Sequence, residues 1–493
     1  MAQKNLKAKK FFITTPIYYI NSQPHIGHAY TTVIADVLAR YFKSKKQKVF
    51  FLTGTDEHGL KIEKAAQEKT LTPQELCDRN ALFFQKTWAE LDISYDNFIR
   101  TTDSFHIKVV QKVILDLFKK GWIYKSFYEG FYCYGCEEYK TKADLIDGKC
   151  PIHNIEAEKI KEESYFFRLS SFEKIIKKKI KNDELKIRPL ERRNEILEFL
   201  NQGLKDISIS RRNVKWGIPL PFDKNHTLYV WVDALFNYLT GIGWRGDTKN
   251  LPKFWPPDLQ LMSKDILRMH SILWPALLLS LKIPLPKKLF SHGYFTIQDQ
   301  KMSKTLGNVI SPLEMIEKFG KDATRYLLVS ICPFGKDGDV SWEKFQEKYN
   351  AELSDGLGNL VSRVCALAEK LTRGKKIKAS LKDKKMKNIL TDSWKNYDQA
   401  MKQTEISRAL EIVFSLVKVA DKYIVEKRVW EESRDQISYI YNLLFLLDYV
   451  SKMISPFMPN ISEKIFSQIG RKINQKNSYF IVKRKEILFP RAG

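Results

Sequence analysis

The chain has 493 residues, 44% of them hydrophobic, enough for several cores; at roughly 100–200 residues per domain, about three domains are expected. Lysine and arginine total 83 against 57 aspartates and glutamates, a formal charge of +26; this favours a nucleic-acid partner, although a lysine-rich composition gives the same excess. No apolar run reaches the ~20 residues that span a bilayer, and the basic start Met1–Lys10 lacks the apolar stretch of a secretory signal. Six cysteines, Cys77, Cys133, Cys136, Cys150, Cys332 and Cys365, are partly clustered and do not form a secreted disulfide framework. A cytoplasmic, reducing location is expected, with an organelle left open.

In chain order, Phe11–Pro16 is short and apolar and predicts a buried strand. Ile26, Tyr30, Val33, Ile34, Val37, Leu38 and Tyr41 then fall at helical spacing, Val49–Thr53 predicts a second strand, and helical patterning continues to about Lys120, with Gly121 as the stop. Strand–helix–strand at this spacing predicts a parallel, nucleotide-binding sheet. From Trp122 alternating aromatics surround the Glu129-Gly130 turn, which predicts a β-rich insertion. Two short helices, 172–181 and 191–203, follow. Strand character resumes at 227–232, 259–262 and 289–295, and Ile272–Leu281 reads as a buried helix. From about Tyr349 the pattern is helical, as in the stripe Ile406, Leu410, Val413, Val417, Ala420 and Ile424. The expected fold class is therefore α/β, a Rossmann-type parallel-sheet catalytic domain split by an insertion and followed by an all-α bundle. The segments are 1–120 and 226–325 for the two halves of the catalytic domain, 121–225 for the insertion, 326–349 for a linker and 350–493 for the bundle.

Three motifs carry chemistry. Pro24-His25-Ile26-Gly27-His28 sits where a strand hands over to a helix N-terminus, a place that favours phosphate; Gly27 allows close backbone approach, and the two histidines can donate to phosphoryl oxygens. Alone, such a pair is more often a capping or core feature. Lys301-Met302-Ser303-Lys304-Thr305 offers two lysines to neutralise a triphosphate in the transition state, although alone it reads as a solvated basic turn. Cys133-Tyr-Gly-Cys136 with Cys150-Pro-Ile-His153 places three thiolates and an imidazole at the spacing of a closed, structural, tetrahedral Zn²⁺ site. A further segment, Thr53-Gly-Thr-Asp56-Glu-His58-Gly, follows the second strand, and Asp56 there suits either an ammonium group or a helix N-cap.

The order and separation of the first two motifs resemble the signatures of class I aminoacyl-tRNA synthetases. The wording Thr14-Thr-Pro-Ile-Tyr-Tyr19, Leu52–Gly59, Tyr229-Val-Trp-Val-Asp-Ala234 and His292-Gly-Tyr-Phe295 resembles the methionyl branch over nearly the whole chain, and the Cys₃His knuckle its single-zinc members. The resemblance implies ATP-dependent ligation of methionine to tRNA(Met) through methionyl-adenylate, with Mg²⁺ accompanying ATP and one structural Zn²⁺ on Cys133, Cys136, Cys150 and His153. It implies catalytic roles for His25, His28, Lys301 and Lys304, with Gly27, Asp265 and Gly293 joining His25, His28 and Lys304 around ATP. It implies a methionine pocket of Ile17, Tyr19, Asp56, Arg211, Trp231, Leu235, Tyr238, Ile266 and His270. Asp56 holds the ammonium beside Arg211, and aromatic walls suit a polarisable thioether. Tyr19 or His270 is then the weak donor to sulfur. Asn359, Arg363 and Trp430 match anticodon-contacting residues, and 326–349 a segment that meets the tRNA stem.

Leu235, Ser263, Thr305 and Val429 depart from the family pattern at positions where proline, glycine, serine and proline are usual. A monomer is expected, because no additional C-terminal tRNA-binding domain follows the bundle. The motifs leave open a synthetase for another apolar amino acid, and an inactive relative kept as a tRNA-binding module.

Overall fold

A computed structural model describes residues 9–135, 138–140, 142–298, 300–301, 309–378, 381, 383–471 and 479–492. As far as these residues go, the chain forms two compact units: Met1–Pro24, Lys45–Trp88 and Ser94–His292 in one, and His25–Ser44, Ala89–Ile93 and Gly293–Gly493 in the other.

The first unit is built on a parallel sheet. The strand Lys10–Thr14 pairs with Lys48–Asp56 on one side and Leu259–Ser263 on the other, and Lys288–His292 extends the sheet beyond Leu259–Ser263. Tyr18–Tyr19 and Asn97–Arg100 both pair with Lys48–Asp56. Phe12, Ile13, Phe51, Leu52, Leu261 and Leu289 are fully or almost fully buried, as expected of strands covered on both faces. Asn97–Arg100 lies within the stretch read as continuous helix up to Lys120. That stretch contains the helices Leu60–Gln67, Pro73–Glu90 and Ser104–Lys119, and Gly121 follows the last of them with φ 73°.

The β-rich insertion is an antiparallel ribbon in which Ile123–Cys133 runs the length of Glu158–Phe167, with Glu138–Lys140 at one end and Ile207–Ser208 at the other. The helices Glu173–Lys181 and Leu190–Asn201 follow. Between them Lys186–Arg188, inside the segment read as insertion, joins the main sheet beside Lys288–His292. Three residues are too short for a legible pattern; the pairing is made by the neighbouring edge.

Residues 227–232, read as a strand of the main sheet, are split. Asp223–Leu228 pairs antiparallel with Ser210–Arg211 and Pro219–Leu220 in a separate small sheet, and Val230–Leu235 is helical. Val230, Trp231 and Val232 favour strands in isolation, but Trp231, Leu235 and Tyr238 recur at i, i+4 and i+7, and packing of that face wins over propensity. Likewise 289–295 is two strands, Lys288–His292 and Phe295–Ile297, interrupted at Gly293. The buried helix predicted at Ile272–Leu281 forms as Met269–Leu273 followed by Trp274–Ser280.

The second unit contains the helix Ile26–Ser44 and a helical region from Pro312 onward. Local rules set its boundaries. Ser311 and Glu314 form a reciprocal capping box before Pro312–Phe319, Ser341 caps Trp342–Lys348, and Asp383 caps Lys384–Gln403. The helices Asn359–Thr372, Ile406–Glu426, Gln436–Ile454 and Pro459–Gln468 bury Val364, Leu416, Leu443, Leu447 and Ile465 against one another. Arg325 is completely buried. It pairs with Asp36 at 2.7 Å and donates to the carbonyls of Leu91, Pro456 and Phe457, tying the Ile26–Ser44 helix to the bundle.

Candidate active site

The phosphate-type motif opens the Ile26–Ser44 helix. The His25 and His28 rings stack with centroids 3.8 Å apart. The Gly27 amide donates to His25 Nδ1 at 3.0 Å, and the His25 amide to His28 Nδ1 at 3.3 Å. A ring nitrogen that accepts an amide proton carries none, so each neutral imidazole holds its proton on Nε2. The helix start is anchored by the Ile26 amide on the Ile310 carbonyl and by buried Tyr30, whose ring lies 4.7 Å from Phe295. Phe295–Ile297 forms a hairpin with Gln300–Lys301 and pairs in parallel with Gly338–Asp339. Lys301 thus ends a strand; its side chain and Lys304 lie outside the described residues. At Gly293 a Cβ would come within 2.3–2.5 Å of Lys336 and Asp337, so the close approach there requires glycine.

In the first unit, Asp56 ends the strand Lys48–Asp56, buried, in register with Tyr19. The residue after it, Glu57, is held by Arg100 at 2.7 and 2.9 Å and by Thr55 and Thr102. Ile17, Tyr19, Trp231 and Ile266, half-buried, pack against the same core cluster as Leu235 and Tyr238. Trp231 and Leu235 lie on Val230–Leu235, Tyr238 on the next short helix, Ile266 on Lys264–Ile266 and His270 on Met269–Leu273.

His270 Nδ1 donates to the Ile266 carbonyl at 2.9 Å, and its Nε2 meets the Tyr238 hydroxyl at 2.7 Å. Burial lowers its pKa to about 4, so it is neutral at pH 7, and Nε2 accepts from Tyr238. This corrects the expectation that His270 is a donor to sulfur: both ring nitrogens are already committed. Arg211 is buried, donates to Ser208 Oγ at 2.9 Å and the Ser210 carbonyl at 2.8 Å, and stands 4.3 Å over the Tyr229 ring. Ser210 continues the hydroxyl chain to His226 at 3.0 Å. Asp265 receives the hydroxyl of Ser263, so the serine found where glycine is usual turns toward that carboxylate.

Cys133, Cys150 and His153 bring their ligand atoms within 4.8 Å of one another, a cluster that could hold a metal ion. Cys136 lies outside the described residues. A Cβ on Gly135 would lie 2.5 Å from the His153 ring, so the knuckle closes tightly around that imidazole. Two thiols and an imidazole are donors of the kind that Zn²⁺ takes. Among the described residues Cys77, Cys332 and Cys365 are free thiols, and no helix is long and apolar enough to cross a membrane.

Asn359 and Arg363 lie one turn apart on Asn359–Thr372; Asn359 is exposed, and Arg363 pairs with Asp421 at 3.0 Å. Trp430 is 48% exposed while its neighbour Val429 is fully buried.

Sequence reasoning did not single out Asp233, His58 and His106. Asp233 accepts from His58 Nδ1 at 2.6 Å and His106 Nε2 at 2.8 Å, and His106 Nδ1 meets Thr240 at 2.7 Å. The available signal was a carboxylate inside the apolar run Val230-Trp-Val-Asp-Ala-Leu235.

The parallel sheet, the His-x-x-His helix start and the largely helical C-terminal region, in which only Ile377–Lys378 and Tyr479–Phe480 pair as short strands among the described residues, are the architecture of class I aminoacyl-tRNA synthetases. The family model described as tRNA synthetases class I (M) matches residues 11–159 and 140–365, and the anticodon-binding domain of tRNA ligases matches 383–486. The chain is 42% identical to a methionine–tRNA ligase of Caldanaerobacter subterraneus subsp. tengcongensis, over 98% of this chain and 79% of that relative. It is 40% identical to that of Synechocystis, over 93% and 89%. A solved Mycobacterium tuberculosis methionyl-tRNA synthetase in complex with methionyl-adenylate superposes with TM-score 0.93 at 32% identity, covering 98% of this chain and all of that one. The chain belongs to the methionine–tRNA ligases.

Proposed function

We propose that the chain activates L-methionine with Mg²⁺-bound ATP and transfers it to tRNA(Met), supplying initiation and elongation. In the first step a methionine carboxylate oxygen attacks the α-phosphorus, and pyrophosphate leaves. In the second, the 3′-terminal ribose hydroxyl of the tRNA attacks the acyl carbon, and AMP leaves. The observation that supports the amino-acid choice is the placing of the Trp231 and Tyr238 rings beside a neutral His270, with Asp56 at the end of a parallel strand. An apolar, polarisable wall suits a thioether, and a neutral His270 adds no charge beside it.

His25 and His28 donate from Nε2 to phosphoryl oxygens, and Lys301 and Lys304 neutralise the charge that moves onto the leaving pyrophosphate. Gly27, Asp265 and Gly293 complete the ATP contacts. Asp56 binds the α-ammonium, with Arg211 alongside, and Ile17, Tyr19, Ile266 and His270 complete the methionine pocket; Tyr19 is the remaining candidate donor to sulfur. Asn359, Arg363 and Trp430 contact the anticodon. Cys133, Cys136, Cys150 and His153 would hold Zn²⁺, which orders the insertion and takes no part in the chemistry. The proposed state is a monomer, which light scattering checks. Free thiols at Cys77, Cys332 and Cys365 suit a cytoplasmic location.

Amino-acid-dependent ATP–pyrophosphate exchange across the twenty amino acids tests the reading. Methionine should support exchange well above leucine or isoleucine, and Lys304→Ala should lower that exchange strongly. Exchange led by another amino acid, or none with any, would overturn it.

A further inference from the structure

The three residues at the end of the strand Lys48–Asp56 divide their roles. Asp56 stands at the strand end, Glu57 is clamped by Arg100 and neighbouring threonines, and His58 turns to Asp233. Asp233 sits on the same one-and-a-half turns of helix as Trp231 and Leu235. Its two oxygens are each taken by a histidine, His58 and His106, and the side chains of all three are at most 5% exposed. Through His106 the same carboxylate reaches Thr240, on the short helix that carries Tyr238. The Trp216 indole donates to the Glu57 carbonyl at 2.6 Å and lies 5.7 Å from the His58 ring, closing the loop from the opposite side.

Apolar side chains of similar volume would stabilise such an interior as well as a buried carboxylate with two histidines, because desolvation of the polar groups offsets what their hydrogen bonds gain. Directional bonds from one carboxylate do what apolar packing does not: they set the distance and rotation between two elements. Here the elements are the strand end that bears Asp56, with the turn after it that bears His58, and the helix that bears Trp231 and Leu235. We propose that Asp233, with His58 and His106, is a positioning group for methionine recognition, holding the ammonium-binding carboxylate in register with the wall that receives the side chain. The inference rests on the amino-acid site proposed above. These residues do not touch methionine; they act through Asp56 and Trp231.

The test is methionine-dependent ATP–pyrophosphate exchange by the full chain, with KM for methionine and for ATP measured separately and melting temperatures recorded. His58→Leu removes the donor to Asp233 and should raise the methionine KM about tenfold, the scale of a weakened charge-assisted hydrogen bond, while the ATP KM stays within about twofold. His58→Asn keeps an N–H near the Nδ1 position and should restore the methionine KM to within about twofold of the parent. Asp233→Asn should resemble His58→Leu; if it does not fold, the His58 pair decides. A folded His58→Leu protein with the parent methionine KM would overturn the proposal. So would equal rises in both KM values, or a His58→Asn protein no better than His58→Leu. Asp56→Asn separates the two levels. If it leaves the methionine KM unchanged, the amino-acid site itself is misread; if it raises that KM and His58→Leu does not, the positioning role alone fails.

Discussion

Acidification should destabilise the methionine pocket through His270, by an amount that follows from its surroundings. The ring is buried, its Nδ1 proton goes to the Ile266 carbonyl, and its Nε2 receives the Tyr238 hydroxyl; burial lowers its pKa from 6.5 to about 4. The native state therefore binds fewer protons than the unfolded chain between pH 4 and 6.5. Stability from this group rises with pH through that window and is fully present above pH 6.5. Between pH 7 and pH 5 the two pKa values correspond to a loss of about 2 kcal/mol. In a chain of 493 residues, whose unfolding entropy is about 1 kcal/mol/K, that is a fall of roughly 2 °C in melting temperature attributable to one side chain.

Other groups titrate in the same range, so the measurement is a difference. The parent and a His270→Asn/Tyr238→Phe variant are melted at pH 7 and pH 5. Asparagine keeps a donor toward Ile266 without a titrating ring, and phenylalanine removes the hydroxyl that would otherwise lose its acceptor. The variant should lose less melting temperature on acidification than the parent, by about that margin. Equal losses would refute the burial of a neutral imidazole, and with it the uncharged wall assigned to the thioether.

Three other outcomes are expected. Lys288 has a pKa lowered to about 8 by burial and by Arg188 and Lys186, so Lys288→Met should stabilise the protein by about 1–3 kcal/mol at pH 7, with the gain fading between pH 8 and 10.5 as the native lysine is already neutral; urea titrations at the two ends of that window test it. Gly135→Ala puts a methyl 2.5 Å from the His153 ring and should weaken Zn²⁺ retention about 10–100-fold in a chelator competition, with little change if the knuckle holds no metal. Trp430 is 48% exposed, so Trp430→Ala should barely move the melting temperature yet raise the KM for tRNA by the equivalent of ~1–3 kcal/mol; an unchanged KM would remove it from the anticodon surface.

What the chain declares by itself is local or periodic. The helix start at His25–His28, the Cys133 and Cys150 half-sites, the apolar strands around Phe12 and Phe51 and the long helical stripe of Ile406–Glu426 all lie in contiguous residues, where spacing alone carries the meaning. What only the tertiary structure decided concerns partners far apart in sequence. Val230–Val232 has strand-forming residues but turns helical because Trp231, Leu235 and Tyr238 share one packed face. Lys186–Arg188 becomes a strand because Lys288–His292 offers it an edge. His270 reads as a donor until Tyr238 and Ile266 occupy both its nitrogens, and Asp233 is one acidic residue in an apolar run until His58 and His106 reach it from 175 and 127 positions away. Protonation and hydrogen-bond direction depend on which groups burial brings together, and no spacing rule along the chain specifies that.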